Sequence, residues 1–170
     1  MAHFEHWWCG KWQLRAGRWR RAHQRWKSEN GGWVAGFARR IGNTNSYMVE
    51  LWALHDGLKL CLQMNAHSII IELDAKVVMD ALNSPNSPNS FSSSILKECK
   101  HMANRLPQKI FRHVYREANK CADLLARIGL LLDNDFIVFS SPPVDLASFL
   151  EADANGLYVN RLCSEPLFAV

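Results

Sequence analysis

The stretch SIIIELDAKVV, residues 68–78, decides how this chain is read. Its side chains alternate as a strand's do: Ile69, Ile71 and Leu73 share one face, and Ile70, Glu72 and Asp74 share the other. So apolar a strand suits the interior of a sheet, yet one face carries a carboxylate at each of its last two positions. A buried charge is costly unless it is paired, binds a metal or sits at a strand end reached by water. The reason for these acids must lie elsewhere in the chain.

Working outward, a short helix is expected from about Ala75 to Leu82. Upstream, SYMVELWALHDGLKLCLQM reads as a helix whose packed face is Ala53, Leu54, Gly57, Leu58 and Cys61, at i, i+3, i+4 spacing. Glu50 stands one turn before Leu54 on the same stripe. GWVAGFARRIG, led by Trp33 and Val34, reads as a strand before that helix. Downstream, NSPNSPNSFSSS is a loop by its Pro and Ser content. SSILKECKHMANRL is a helix with Ile95, Cys99, Met102 and Leu106 inward, stopped by Pro107. KIFRHVYRE alternates as a strand. Asn119 can cap a last helix, KCADLLARIG, that ends on Gly129 with Cys121, Leu124, Leu125 and Ile128 facing the core and Asp123 on the flank. The order strand, helix, strand, helix, helix, strand, helix points to an α/β domain.

A chain of 170 residues, 48% hydrophobic and 21% charged, suits one domain with a sizeable core. No apolar run approaches the roughly 20 residues that span a bilayer, and the N-terminal residues lack the apolar stretch of a secretory signal. The five cysteines are scattered, with no CxxC pair, so they read as reduced thiols and exclude a zinc or disulfide framework. An intracellular setting, nuclear or cytosolic, is the expectation. The net charge of +4 is unevenly spread: KWQLRAGRWRRAHQRWK, residues 11–27, holds seven Lys or Arg and no acid, and the remainder carries a slight excess of acid. Three parts are expected: a basic Trp- and Arg-rich leader at 1–31, disordered or helical; a folded domain at 32–132; and a tail at 133–170 packed on or beside it.

Glu50, Asp74 and Asp123 each lie on or beside an apolar face near the end of an element. Each has an ordinary explanation: Glu50 near a helix start favours the dipole, Asp74 can cap the next helix, and Asp123 can be simply exposed. Glu72 competes with Asp74 for the same role. Taken together, carboxylates at one end of a sheet, with no His or Cys ligand set, suit a hard cation such as Mg²⁺ or Mn²⁺. Two such ions can activate water and stabilise the leaving oxygen in phosphodiester cleavage.

At these residues a family resemblance enters. GGWVAGFARRIG, VELWALHDGLKLC, IIIELDAKVVMDAL and HVYREANKCADLLARIG, in this order and spacing, resemble the ribonuclease H-like domain common in plants. That domain often ends retroelement-derived reverse transcriptase proteins. The resemblance runs from about Gly32 into FSSPPVDLASFLEAD in the tail. It implies a ribonuclease H-like mixed sheet of five strands flanked by helices, and endonucleolytic cleavage of RNA in RNA–DNA hybrids. It also implies four acids holding two Mg²⁺, to which Glu50, Asp74 and Asp123 correspond as the Glu, the second Asp and the last Asp.

The family's first Asp, in a pattern like N-x-D-G-A on the first strand, has no counterpart: no Asp occurs before Asp56. The domain therefore reads as truncated at its N-terminal side, with weak Mg²⁺ or Mn²⁺ binding on three acids and impaired activity. The alternative is a catalytically inactive, nucleic-acid-binding remnant. Ala75 replaces the Ser that usually follows the Asp, and His113 falls within a strand and reads as structural. Lys76 and Asn119 flank the acids and are candidates for touching a phosphate or sugar; the simpler reading makes one a solvated lysine and the other a helix cap. In the leader, Trp12, Trp19 and Trp26, with Trp33, recur every seven residues, a spacing that on a helix gives an aromatic stripe among cations.

Overall fold

The computed structural model describes residues 7–8, 33–42, 44–84, 91–113, 120–131 and 134–154. It comprises strand β1 (Trp7–Trp8), strand β2 (Gly36–Arg40), helix α1 (Ser46–Gln63), strand β3 (Ser68–Leu73), helix α2 (Lys76–Asn83) and helix α3 (Phe91–Arg105). Strand β4 (Gln108–His113), helix α4 (Lys120–Leu130), strand β5 (Phe136–Phe139), a 3₁₀ turn (Val144–Leu146) and helix α5 (Ala147–Ala154) follow. Among the described residues no helix is long and apolar enough to cross a membrane.

The strand order differs from one continuous sheet. Among the described residues five strands form, but in two sheets: β1, β2 and β5 make an antiparallel set with β2 in the middle, and β3 pairs β4 in parallel. Two additions were not foreseen. Trp7 and Trp8 lie in the segment expected to be a separate leader, yet pair with Arg40 and Arg39 of β2. In the tail, FIVF pairs from Gly36↔Phe139 to Arg39↔Phe136. Trp33 precedes β2 in extended chain and packs against the α4 cluster, so it belongs to no helical stripe. Trp12, Trp19 and Trp26 lie outside the described residues.

Local chemistry accounts for the helix ends. The side-chain oxygen of Asn45 accepts the amide of Met48 at 2.9 Å, satisfying one of the free donors at the start of α1. At the other end Asn65 has φ +52°; its amide donates to Leu62 and that of Ala66 to Cys61, a Schellman closure with Asn where glycine is more usual. The chain then reverses into β3. β3 and β4 run the same way, so the connection between them must cross over, and α2 and α3 provide it.

Two apolar clusters hold the fold. The larger joins Leu51, Leu54, Leu58 and Cys61 of α1 to Ile69, Ile71 and Leu73 of β3 and to Ile95, Leu96, Cys99 and Met102 of α3. The expected inner face of α1, Ala53, Leu54, Gly57, Leu58 and Cys61, is buried throughout. Each fully buried Leu or Ile contributes about 1.5–3 kcal/mol relative to exposure. The smaller cluster gathers Cys121 and Leu125 of α4, Leu146 of the 3₁₀ turn, and Trp33, Phe139 and Phe149. Gly36 is required at the start of β2: a Cβ there would lie 2.5 Å from Cη2 of Trp33 and 3.3 Å from Leu125. Only the missing side chain lets the indole lie this close.

Arg39 ties the β2 sheet to α1. Its Nε and Nη2 both donate to the carboxylate of Asp56, Nη2 at 3.0 Å, while its guanidinium lies 5.1 Å from the Trp52 ring and 5.0 Å from that of Phe136. A bidentate pair flanked by aromatic faces suits the flat guanidinium better than a lysine ammonium.

Candidate functional site

β3 alternates as expected, with Ile69, Ile71 and Leu73 buried and Ser68, Ile70 and Glu72 half-buried. The parallel register sets Glu72 opposite Arg112, whose Nη1 lies 3.4 Å from Oε1 of Glu72. The two acids thus differ in surroundings: Glu72 has a cross-strand cation.

Asp74 follows the last residue of β3. The cap of α2 is Ala75, and no side chain caps that helix, so Asp74 is not there to cap it. Its Oδ1 is buried and has no hydrogen-bond partner. A carboxylate oxygen in that state lacks the compensation that buried charge needs, and a cation would supply it. Of the three acids, Asp74 has the clearest claim to a ligand.

Glu50 loses its ordinary explanation as well. α1 begins at Ser46 with no acid in its first turn, and Glu50 lies one position beyond it. Its Oε2 is buried. Asp123 does stand in the first turn of α4, half-buried, where the helix dipole favours it. Glu50 and Asp123 each make further interactions with the protein.

Chain direction brings Glu50 and Asp74 to one end of the packed α1–β3 unit. α1 reverses directly into β3, so the helix start that carries Glu50 and the strand end that carries Asp74 lie at the same end. Asp123 stands in the first turn of α4, a helix whose apolar face joins Trp33 and Leu146 in the smaller cluster; residues 114–119, between β4 and α4, lie outside the described residues. The C-terminal ends of parallel strands are where open α/β sheets bind ligands. Even so, among the described residues no three His, Cys, Asp or Glu side chains converge closely enough to hold a metal ion between them.

The acids' surroundings complete the picture. Lys76 opens α2 and is exposed; Asn119 lies outside the described residues. Asp56, the first Asp in the chain, is held by Arg39 and has no spare oxygen to replace a missing acid. His113, read from the sequence as structural, ends β4 opposite Leu73 with Nε2 3.3 Å from the main-chain oxygen of Asp74. Its strand position hid this; only the register of β4 against β3 brings the ring to the acid.

The order of elements can be set beside known proteins. A family model described as reverse transcriptase-like matches residues 26–129. The chain belongs to the reverse transcriptase-like family. Its fold is ribonuclease H-like. A crystal structure of ribonuclease H1 from the halophilic archaeon Halobacterium salinarum is similar, with a TM-score of 0.55 and 24% identity, over 61% of this chain and 79% of that one. The N-terminal RNase H domain of a Mycobacterium tuberculosis protein is similar at a TM-score of 0.50 and 17% identity, over 56% and 81%. Among curated proteins, a "Putative ribonuclease H protein" of Arabidopsis thaliana is 29% identical over 126 residues, 74% of this chain. The reverse transcriptase-like chain spans only 20% of that relative's length.

Proposed function

We propose that this reverse transcriptase-like domain binds RNA–DNA hybrids, with Asp74 anchoring a weakly held Mg²⁺ or Mn²⁺ and Glu50 and Asp123 as the acids beside it. The observation that carries the reading is the buried, partnerless Oδ1 of Asp74 at the end of β3. The all-oxygen donor set suits a hard cation, and Mg²⁺ commonly takes one or two carboxylates and fills its other positions with water and substrate phosphate. A bound ion would supply the Lewis acidity and activated water of phosphodiester hydrolysis.

The chain's own groups have narrower tasks. Asp74, fixed by the rigid end of β3, holds negative charge where a phosphate would otherwise be repelled, which makes nucleic-acid docking there depend on the cation. Lys76 and Asn119 are the candidates for contacting phosphate or sugar. His113, beside the Asp74 main chain, is within the same neighbourhood for orienting water or a leaving group.

Hydrolysis of the RNA strand is expected to be impaired. Within this sequence no Asp precedes Asp56, Asp56 is occupied by Arg39, and among the described residues no three acids group to hold a metal ion. An absent shared ligand worth several kcal/mol in the transition state lowers the rate by several powers of ten. The same observations favour a second reading, a nucleic-acid-binding domain without catalysis. Incubating the full chain with labelled hybrid in Mg²⁺ or Mn²⁺ tests both. Cation-dependent binding with trace cleavage at most is expected. Robust turnover abolished by Asp74→Asn would overturn the impairment, and absence of any cation-dependent binding would overturn the proposal.

A further inference from the structure

His55 lies on α1 away from the acids at the strand ends, its side chain only 10% exposed. Nδ1 is 3.1 Å from Oδ1 of Asp56, and Nε2 is 3.4 Å from Oε1 of Glu98 on α3. The Trp52 indole meets the ring edge-on at 5.2 Å. An ionised carboxylate can only accept hydrogen bonds, so a ring with a carboxylate at each nitrogen is satisfied at both only as the doubly protonated imidazolium. The neutral ring can donate to one acid but must turn a lone pair towards the other.

The charged groups around the ring show which contact would fail. Asp56 is already held on both oxygens by Arg39 of β2 and is buried, so it stays in place. Glu98 is 61% exposed and free to turn towards water. Lys59, one turn further along α1, is exposed to solvent. Cys99, next to Glu98, has its thiol pushed up to about 12, mainly by burial, and is therefore a neutral neighbour. Its Sγ donates to the carbonyl of Leu51 at 3.9 Å. Besides the apolar packing of the larger cluster, polar contacts of α3 with α1 include the His55–Glu98 bridge and, one turn away, the Cys99 contact beside Glu50.

We propose that His55 is a proton-operated latch between α1 and α3. As the imidazolium it bridges Asp56 to Glu98; on losing its proton it keeps Asp56 and releases Glu98, loosening α3 at the His55 turn of α1 while the Cys99 contact one turn away remains. The hydrogen bond to Asp56 and the charges of Asp56 and Glu98 raise the proton affinity of His55, against the opposing effect of burial. The latch does not depend on the nucleic-acid reading of the acid-bearing end.

The test is an NMR titration of the histidine ring signals in the full chain, with amide exchange of α3 measured on either side of the His55 midpoint and corrected for the intrinsic pH dependence of exchange. The His55 midpoint should exceed the ordinary value of about 6.5. Corrected protection of α3 should fall about two- to fivefold as the proton leaves, the range for a partly exposed ion pair. Glu98→Gln, an exposed substitution that leaves the fold intact, should lower the midpoint and abolish the change in protection. His55→Gln should give α3 protection that does not vary with pH. A midpoint at or below 6.5, or a Glu98→Gln protein that titrates and exchanges as the wild type does, overturns the latch.

Discussion

Replacing Asp74 with Asn separates a ligand-binding acid from a structural one, because the two roles predict opposite changes in stability. In the metal-free protein, Asp74 holds a buried oxygen with no hydrogen-bond partner. A buried polar group left unsatisfied costs about 1–3 kcal/mol. Asp74 as a whole is half-buried, so the lower end of that range applies. Asn keeps a polar atom in the same place but removes its charge, the costlier thing to bury, so Asp74→Asn should stabilise the metal-free chain by up to about 1 kcal/mol. For a chain of this length that is a rise in Tm of about 2–4 °C. With Mg²⁺ this advantage is cancelled. A cation at ten times its dissociation constant stabilises the wild type by about 1.4 kcal/mol, and the variant should lose most of this gain. Thermal melts of both proteins in EDTA and across a Mg²⁺ series give all four values. An Asn variant that melts below the wild type in EDTA, or that gains as much from Mg²⁺, would refute the assignment of Asp74 as the cation's anchor.

Asp56→Asn should be strongly destabilising in urea unfolding, by about 2–3 kcal/mol. It breaks a buried pair, and the partly exposed Arg39 limits the loss to below the full cost of stranding a charge. Gly36→Ala should cost about 1–3 kcal/mol in the same assay, since the new methyl overlaps the Trp33 indole; Trp33→Leu in that background should restore part of the loss. His55 gives stability a defined pH dependence. Its folded pKa lies above the unfolded value of about 6.5, so its contribution is fully present below 6.5 and is lost as pH rises through the raised value. Unfolding free energies measured between pH 6 and about 8.5 should fall more steeply for the wild type than for His55→Gln. Parallel curves would show that the proton is not linked to folding.

Several elements were legible because their signals are local. The 3.6-residue spacing of α1, the alternation of β3, the Pro107 stop after α3 and the apolar face of α4 all lie within a few residues, and each element formed near its expected limits. The same holds for the acids as candidates: Glu50, Asp74 and Asp123 stood out because carboxylates beside apolar faces conflict with their surroundings. β1 and β5 did not stand out. Two and four residues carry too little periodicity to mark a strand, and both are strands because β2 offers an edge on each side.

By itself, the sequence determined helices α1 to α4, the two strands β3 and β4 and which carboxylates needed explaining, since short-range hydrophobic spacing and capping fix those. Only the tertiary structure decided which partners the acids meet. Register sets Arg112 opposite Glu72; the approach of β2 to α1 gives Asp56 to Arg39; the packing of α3 on α1 puts Glu98 against His55. A charge is satisfied or stranded by partners distant in the chain. Their positions depend on how the elements pack, which no local pattern encodes.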